Sequence, residues 1–141
     1  MAALVDLVNF QLENAKALSG VLRQETQAIS ARVSTEIEKL AKEKMTLIGQ
    51  LRTTDQRIAS HPNVNQLTED ESLSQVVAQI QSIILDCQQV NQMNGESLNR
   101  AQSSFNKLNN MLQRTHGKVG MTYNAGGKTH TISTLGTNIK A

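Results

Sequence analysis

The sequence predicts an all-α protein: a long antiparallel helical hairpin resembling a coiled coil, followed by a flexible C-terminal tail. Apolar residues recur at three- and four-residue steps over most of residues 2–115, a spacing typical of amphipathic helices. Pro62, the only proline, divides this pattern in two. Aromatic residues make up only 2% of the chain, which favours a thin interface of aliphatic side chains between helices over the thick core of a sandwich or an α/β sheet.

The first long helix is predicted over residues 2–60. A kink is expected near Ser19-Gly20, because glycine inside a helix costs about 1 kcal/mol relative to alanine. The Lys and Glu side chains of residues 36–44 are interpreted as a solvated helix face. A turn over residues 61–67 ends the helix, because Pro62 has no N–H donor and restricts the residue before it. The apolar positions of this helix include Leu4, Val8, Leu12, Ala15, Leu22, Ile29, Val33, Leu40, Leu47, Leu51 and Ile58.

The second long helix is predicted over residues 68–115. Thr68 and Glu71 have the spacing of a capping box at its start. Its apolar positions repeat every 3.5 residues on average, which is typical of a left-handed coiled coil. Asn91 and Asn94 occupy two of these positions, and we expect them to fix the register of the two helices, because buried asparagine favours one alignment at a cost in stability. The positions are Leu73, Val77, Ile80, Ile84, Cys87, Asn91, Asn94, Leu98, Ala101, Phe105, Leu108 and Leu112.

The short connection makes the two helices antiparallel neighbours and leaves two questions open. Residues 2–12 would extend beyond the partner helix, so their apolar face needs cover from a bend in the first helix, from the tail or from another chain. Val76, Ile83 and Val90 flank the predicted interface. This surplus of apolar surface suggests a third helix, a dimer or a groove for another protein.

The chain is divided into a helical hairpin domain, residues 1–116, and a tail, residues 117–141. The tail contains five glycines, three lysines and no acidic residue, so its formal charge is +3. Because the whole chain has a net charge of +2, the hairpin domain has a charge of −1. A small β-hairpin around Gly126-Gly127 is an alternative, but an isolated hairpin is marginally stable. We expect a flexible tail that becomes ordered on binding a partner.

Composition and charge exclude several classes of partner. The net charge of +2 is too small for a non-specific nucleic-acid binder, and no basic stripe with stacking aromatics is present. No apolar run approaches the roughly 20 residues of a membrane span, so no stable membrane insertion is expected. No secretory signal is evident, and a single cysteine, Cys87, fits a reducing compartment. The prediction is a cytoplasmic protein.

Catalytic and cofactor-binding patterns are also missing from the sequence. The three histidines, His61, His116 and His130, lie far apart and share no ligand spacing with Cys87, which argues against a metal site. The segment Gly126-Gly127-Lys128-Thr129 has only the end of a P-loop motif and is interpreted as a turn. A buried position with a raised pKa is expected for Cys87, which makes it a poor nucleophile. The chain is therefore predicted to be a binding protein, with no cofactor and no enzymatic activity.

The chain resembles the FlgN family of flagellar export chaperones in an ordered set of short segments. These are Glu43-Lys44, Leu47-Ile48-x-x-Leu51 and Asp55 in the first helix, Asn91-x-x-Asn94-Gly95-x-x-Leu98 in the second, and Thr122-Tyr123-x-Ala125-x-Gly127-x-Thr129 in the tail. The resemblance implies a cytoplasmic chaperone that binds the hook-filament junction proteins FlgK and FlgL. It also implies that the C-terminal part engages the client, and that a tail tyrosine docks on the export gate protein FlhA.

The site residues follow partly from this resemblance. Tyr123 matches the tail tyrosine and is the candidate for docking on the export gate. Met111, Leu112, Met121 and Ile132 surround it in sequence and are the candidates for client binding, since flexible Met side chains adapt to irregular surfaces. A core position is the alternative for Met111 and Leu112. The alternative for the whole chain is a structural coiled-coil protein that forms a homodimer or larger homo-oligomer through its wide apolar interface.

Overall fold

The structure is a computed structural model that describes residues 2–116, without the side chains of residues 104, 105, 108, 109 and 112–116. The described residues form four helices and no strand: α1 Leu4–Ala31, α2 Ser34–Ala59, α3 Gln66–Glu69 and α4 Glu71–His116. The predicted all-α fold class is confirmed. The predicted tail, residues 117–141, lies outside the described residues.

The chain reverses direction between α1 and α2, at Arg32 and Val33. Arg32 has a left-handed backbone with φ of 58°. Its N–H donates to the carbonyl oxygen of Ile29, and the N–H of Val33 donates to that of Ala28, both at 3.1 Å, which is the hydrogen-bond pattern of a Schellman motif. The single first helix predicted over residues 2–60 is therefore wrong. The helix α1 is continuous through Ser19 and Gly20, and the kink expected there stays a prediction.

The reversal makes α1 the central helix of a three-helix bundle, packed against both α2 and α4. The helix α2 runs antiparallel to α1, since Gln11 bonds to Leu51 and Glu25 to Lys44. The helix α4 runs parallel to α1 and antiparallel to α2. In the described helices no Cα atom of α2 lies within 8 Å of a Cα atom of α4, so side chains alone bridge these two helices.

This arrangement answers both questions that the sequence left open. Leu4, Leu7 and Val8 are buried, because the bend at Arg32 places α1 between α2 and α4. The flanking apolar side chains of α4 are partly buried against the core of the same chain. A third helix from the chain itself therefore covers the surplus apolar surface. These flanking residues are Val76, Ile83 and Val90.

The predicted apolar stripe of α4 is confirmed as far as Leu98. Five of its members are buried and three are partly buried, whereas Ala101 is exposed. The helix begins at Glu71 rather than at residue 68, because the carboxylate oxygen of Asp70 accepts the N–H of Leu73 at 3.2 Å and caps the first turn. Thr68 instead lies in the one-turn helix α3.

The helix α4 extends well beyond the bundle. Asn94 lies level with Leu22, Glu25 and Thr26 of α1, and α1 ends soon afterwards at Ala31. Because α4 continues to His116, about 17 of its residues, or about 25 Å of helix, extend beyond the end of α1. We call this segment, residues 100–116, the projecting segment.

Candidate functional site

A cluster of polar side chains lies between α1, α2 and α4, at a level where the neighbouring core is apolar. It consists of Glu25 and Thr26 from α1, Lys44 from α2, and Asn91 and Asn94 from α4, and we call it the Glu25 cluster. The side chain of Glu25 is 1% exposed and that of Lys44 is 14% exposed. A charged pair is therefore held inside the bundle, where charges are seldom found without close partners.

Each polar group of the pair has a defined partner. The ammonium of Lys44 donates to both carboxylate oxygens of Glu25, at 3.0 and 3.3 Å, and to Oδ1 of Asn91 at 3.0 Å. The amide of Asn94 donates to Oε1 of Glu25 at 3.0 Å and to the carbonyl oxygen of Leu22 at 3.1 Å. The hydroxyl of Thr26 lies 2.8 Å from Oδ1 of Asn94 and donates to it.

This geometry is structural in character. The carboxylate of Glu25 accepts hydrogen bonds from the Lys44 ammonium and the Asn94 amide, and at 1% exposure it offers no surface to a substrate. A buried ion pair contributes little net stability against an apolar replacement, but loss of one partner leaves an uncompensated buried charge. The Glu25 cluster therefore joins all three helices at one level. Asn91 and Asn94 bond to α2 and α1 respectively, and the register role expected of them stays a prediction.

The cluster corrects one interpretation and adds one residue. The solvated helix face predicted for residues 36–44 is wrong at Lys44, which points into the bundle, unlike the exposed Lys42 and Glu43 beside it. Glu25 was not singled out by the sequence reasoning. The sequence feature that indicates its burial is its position: Glu25 lies three residues after Leu22 and three before Ala28, within the apolar stripe of α1. A charge inside an apolar stripe indicates a buried partner.

A second polar contact joins α1 and α2 nearer the start of α1. The amide of Gln11, which is 1% exposed, donates to the backbone carbonyl oxygen of Leu51 at 2.9 Å. The amide of Asn14 donates to Oε1 of Gln11 at 3.4 Å. Asp55, one of the residues that carry the family resemblance, is also buried. Polar side chains therefore join α1 and α2 at two levels.

The predicted client-binding and docking residues are not brought together by the described part of the chain. Met111 lies in the projecting segment and is 62% exposed. Leu112 lies one residue further along α4, and its side chain is not described. Met121, Tyr123 and Ile132 lie outside the described residues. All five assignments stay predictions.

His61 ties the end of α2 to the start of the chain. Its Nδ1 accepts the N–H of Asn63 at 3.0 Å, which leaves the ring proton of the neutral form on Nε2. That nitrogen donates to the carbonyl oxygen of Ala2, also at 3.0 Å. The ring is buried, so it acts as a link between chain segments. Within residues 2–116, no group of three or more His, Cys, Asp or Glu side chains is placed to hold a metal ion.

Cys87 is buried in the core with a relative exposure of 1%. The pKa of its thiol is raised from 9.0 to about 11, mainly by burial and also by the Asp86 carboxylate, while Arg23 acts in the opposite direction. The thiolate is the reactive form of cysteine. Because the raised pKa keeps the thiol of Cys87 protonated near neutral pH, this side chain is a poor nucleophile.

The raised pKa predicts a specific loss of stability at alkaline pH. In the folded chain the thiol keeps its proton up to pH of about 11, whereas the unfolded chain loses it near pH 9. The free energy of unfolding should therefore fall by about 1.4 kcal/mol per pH unit between these values. Cys87→Ala should remove this part of the pH dependence, whatever its effect at neutral pH. Urea unfolding of both chains across this range would measure the difference, and identical slopes would contradict it.

Fold and site together define a class: an elongated α-helical bundle with a structural polar cluster and a projecting helix, suited to binding another protein. The model of the FlgN protein family matches residues 1–131, and the chain belongs to this family of flagellar export chaperones. Comparison with curated proteins and with solved structures gave no match. Among the described helices, none is long and apolar enough to cross a membrane.

Proposed function

We propose that the chain is a cytoplasmic chaperone for the hook-filament junction proteins FlgK and FlgL, and that it delivers them to the export gate protein FlhA. Membership of the FlgN family supports the general role in flagellar export. The choice of client and of gate protein comes from the resemblance of the sequence motifs. The chain performs this role by binding alone, without a cofactor.

The projecting segment is the observation that carries the proposal. The bundle formed by α1, α2 and α4 is complete by about residue 99, yet α4 continues to His116. The sequence stripe of α4 continues into this segment at Phe105, Leu108 and Leu112, where α1 and α2 have already ended. A helix with apolar positions beyond its own bundle can pair with an amphipathic helix of another protein.

Removal of residues 111–141 is expected to abolish detectable binding of a FlgK- or FlgL-like C-terminal helical segment. The reason is that the deletion removes all four predicted client-binding residues together with Tyr123. The bundle itself ends before residue 111, so the shortened chain should retain its fold. Calorimetric titration of both chains with the same client segment measures the effect, and thermal unfolding of the shortened chain is the control. Equal affinity of the full chain and of residues 1–110 would refute the client site.

Tyr123→Ala is expected to leave client affinity within about two-fold and to weaken capture of the chaperone–client complex by FlhA at least ten-fold. A tyrosine at a binding hot spot supplies this much, because it buries a large area and keeps one polar group. Pull-down with immobilised FlhA measures the capture, with Asn124→Ala as the matched control beside Tyr123 in the same tail. Unchanged capture would remove Tyr123 from the gate contact.

A homo-oligomeric structural protein is the competing explanation. It predicts a dimer or larger assembly whose mass does not depend on concentration, together with a dispensable tail. The chain supplies its own third helix, and that helix covers apolar surface that a dimer would otherwise bury. Light scattering at several concentrations separates the two explanations.

A further inference from the structure

Positive and negative charges are separated along the chain. Residues 97–141 contain six Lys and Arg residues and no Asp or Glu, so their formal charge is +6. Because the whole chain has a net charge of +2, residues 1–96 have a charge of −4. The projecting segment therefore lies in a basic, acid-free region that follows a bundle of net negative charge.

The basic residues of the projecting segment repeat every seven residues. They are Arg100, Lys107 and Arg114, and we call them the basic stripe. Seven residues are close to two helical turns, so the three positions share one side of α4, and successive positions lie about 10 Å apart. Arg100 and Lys107 are exposed, and the guanidinium of Arg100 donates to the neutral hydroxyl of Ser97 at 3.2 Å. One side of the projecting segment therefore carries a row of positive charges.

The basic stripe continues the side of α4 that faces α1 inside the bundle. Asp86 precedes Arg100 by fourteen residues, so it lies on the same side of α4. Its carboxylate forms an ion pair with Arg23 of α1 at 3.5 Å. Positions on this side are thus within reach of side chains from a helix packed as α1 is packed. A helix packed in the same way on the projecting segment would bring its own side chains equally close to the basic stripe.

The flank of the projecting segment that faces away from the line of α1 has no charged residue. In the sequence its positions alternate with the apolar positions and hold only the neutral amides of asparagine and glutamine. Charge therefore distinguishes the two flanks, and a negatively charged partner is favoured on the α1 side alone. The amide positions are Asn99, Gln102, Asn106, Asn109 and Gln113.

We propose that the projecting segment binds an amphipathic helix of the client that lies along the line of α1 and carries Asp or Glu opposite the basic stripe. The apolar positions of α4 supply the contact that any amphipathic helix makes. The carboxylates pair with Arg100 and Lys107 and select among such helices, because lysine at the same positions would be repelled. This inference deepens the proposed function and rests on it, since it states the chemistry of the client helix.

An anionic membrane surface fits the projecting segment less well. A helix that lies in a membrane interface has a broad apolar face opposite a strongly basic face. Here the apolar positions Phe105, Leu108 and Leu112 follow the narrower spacing of a coiled coil, and the basic stripe lies on one flank of them. Charges on the flank of an apolar stripe are the arrangement that pairs one helix with another.

Two client segments test the charge of the partner. One is a FlgK-like C-terminal helical segment, and the other is the same segment with every Asp and Glu replaced by Asn and Gln. Calorimetric titration of the full chain in 50 mM salt should show at least ten-fold weaker binding of the amide segment. Equal affinity would overturn this inference and leave the proposed function intact. A full chain that binds neither segment would refute the proposed function and this inference with it.

Two double variants of the full chain locate the contact. Arg100→Glu/Lys107→Glu reverses the basic stripe, and Lys16→Glu/Lys39→Glu makes the same change in net charge at exposed positions of the bundle. The first variant should bind the unmodified segment at least ten-fold more weakly and the amide segment within about two-fold of the full chain. The control should stay within about two-fold for both segments, and far-UV circular dichroism checks the helix content. Equal weakening by both variants would overturn the proposal, because it would indicate overall charge instead of the basic stripe.

Salt and lipid vesicles complete the test. The ten-fold difference between the two client segments should shrink to about two-fold in 500 mM salt, because exposed charges are screened. A difference that persists undiminished would contradict an exposed ion-pair contact. The full chain should not bind vesicles that contain equal parts of phosphatidylglycerol and phosphatidylcholine. Vesicle binding that is lost in Arg100→Glu/Lys107→Glu would overturn the proposal in favour of a membrane surface.

Discussion

Lys44→Met is expected to lower the free energy of unfolding by about 3–5 kcal/mol, because it leaves the buried carboxylate of Glu25 without its cation. Methionine approximates the length and volume of the lysine stem, so the loss is electrostatic rather than a loss of packing. Asn94 alone then donates to Glu25. Urea unfolding followed by far-UV circular dichroism measures the change.

Two further variants test whether the unpaired charge of Glu25 causes this loss of stability. Lys42→Met removes an exposed lysine that forms a long surface pair with Glu38, at 4.0 Å, and should change stability by less than about 0.5 kcal/mol. The double variant Glu25→Leu/Lys44→Met removes both charges and should recover most of the loss, since an apolar pair can replace a buried ion pair. A double variant no more stable than Lys44→Met would show that the charge is not the cause.

Ile84→Ala should destabilise the chain by about 2–5 kcal/mol, the usual cost of truncating a large buried aliphatic side chain. Ile84 is 1% exposed and faces the core, whereas the next residue, Leu85, is 57% exposed. Leu85→Ala should therefore cost less than about 0.5 kcal/mol. The pair tests the rotation of α4 about its axis, measured by the same urea unfolding. Equal losses would mean that α4 presents a different face to the bundle.

The sequence predicted α4 well because its periodicity is continuous and its ends carry strong signals. Apolar positions from Leu73 to Leu98 follow one helical stripe, and Pro62 and the acidic residues before Glu71 set the start. The reversal at Arg32 was missed because neither glycine nor proline marks it. The left-handed backbone conformation of Arg32 raises the local conformational free energy by about 1–2 kcal/mol. The packing of α1 against α2 offsets this cost. Such packing joins residues far apart in sequence, so no short sequence pattern at Arg32 indicates the reversal.

The candidate site was predicted unevenly for a similar reason. Asn91 and Asn94 stood out because they interrupt an apolar repeat. Lys44 did not, because a lysine among other charged residues is usually solvated, and its burial depends on Glu25 and Asn91 from two other helices. Glu25 could have been found by asking which acidic residue falls on an apolar stripe.

The place of α1 at the centre of the bundle bears on the order of folding during synthesis. Glu25 and Lys44 are 19 residues apart, whereas Asn94 and Glu25 are 69 apart. Domains emerge from the ribosome N-terminal end first, so α1 and α2 can pair, with their ion pair complete, before α4 exists. Until then the hairpin exposes the face of α1 on which α4 packs, beside Leu22. Arrival of α4 covers this face, and that docking is the step at which a nascent chain is open to aggregation.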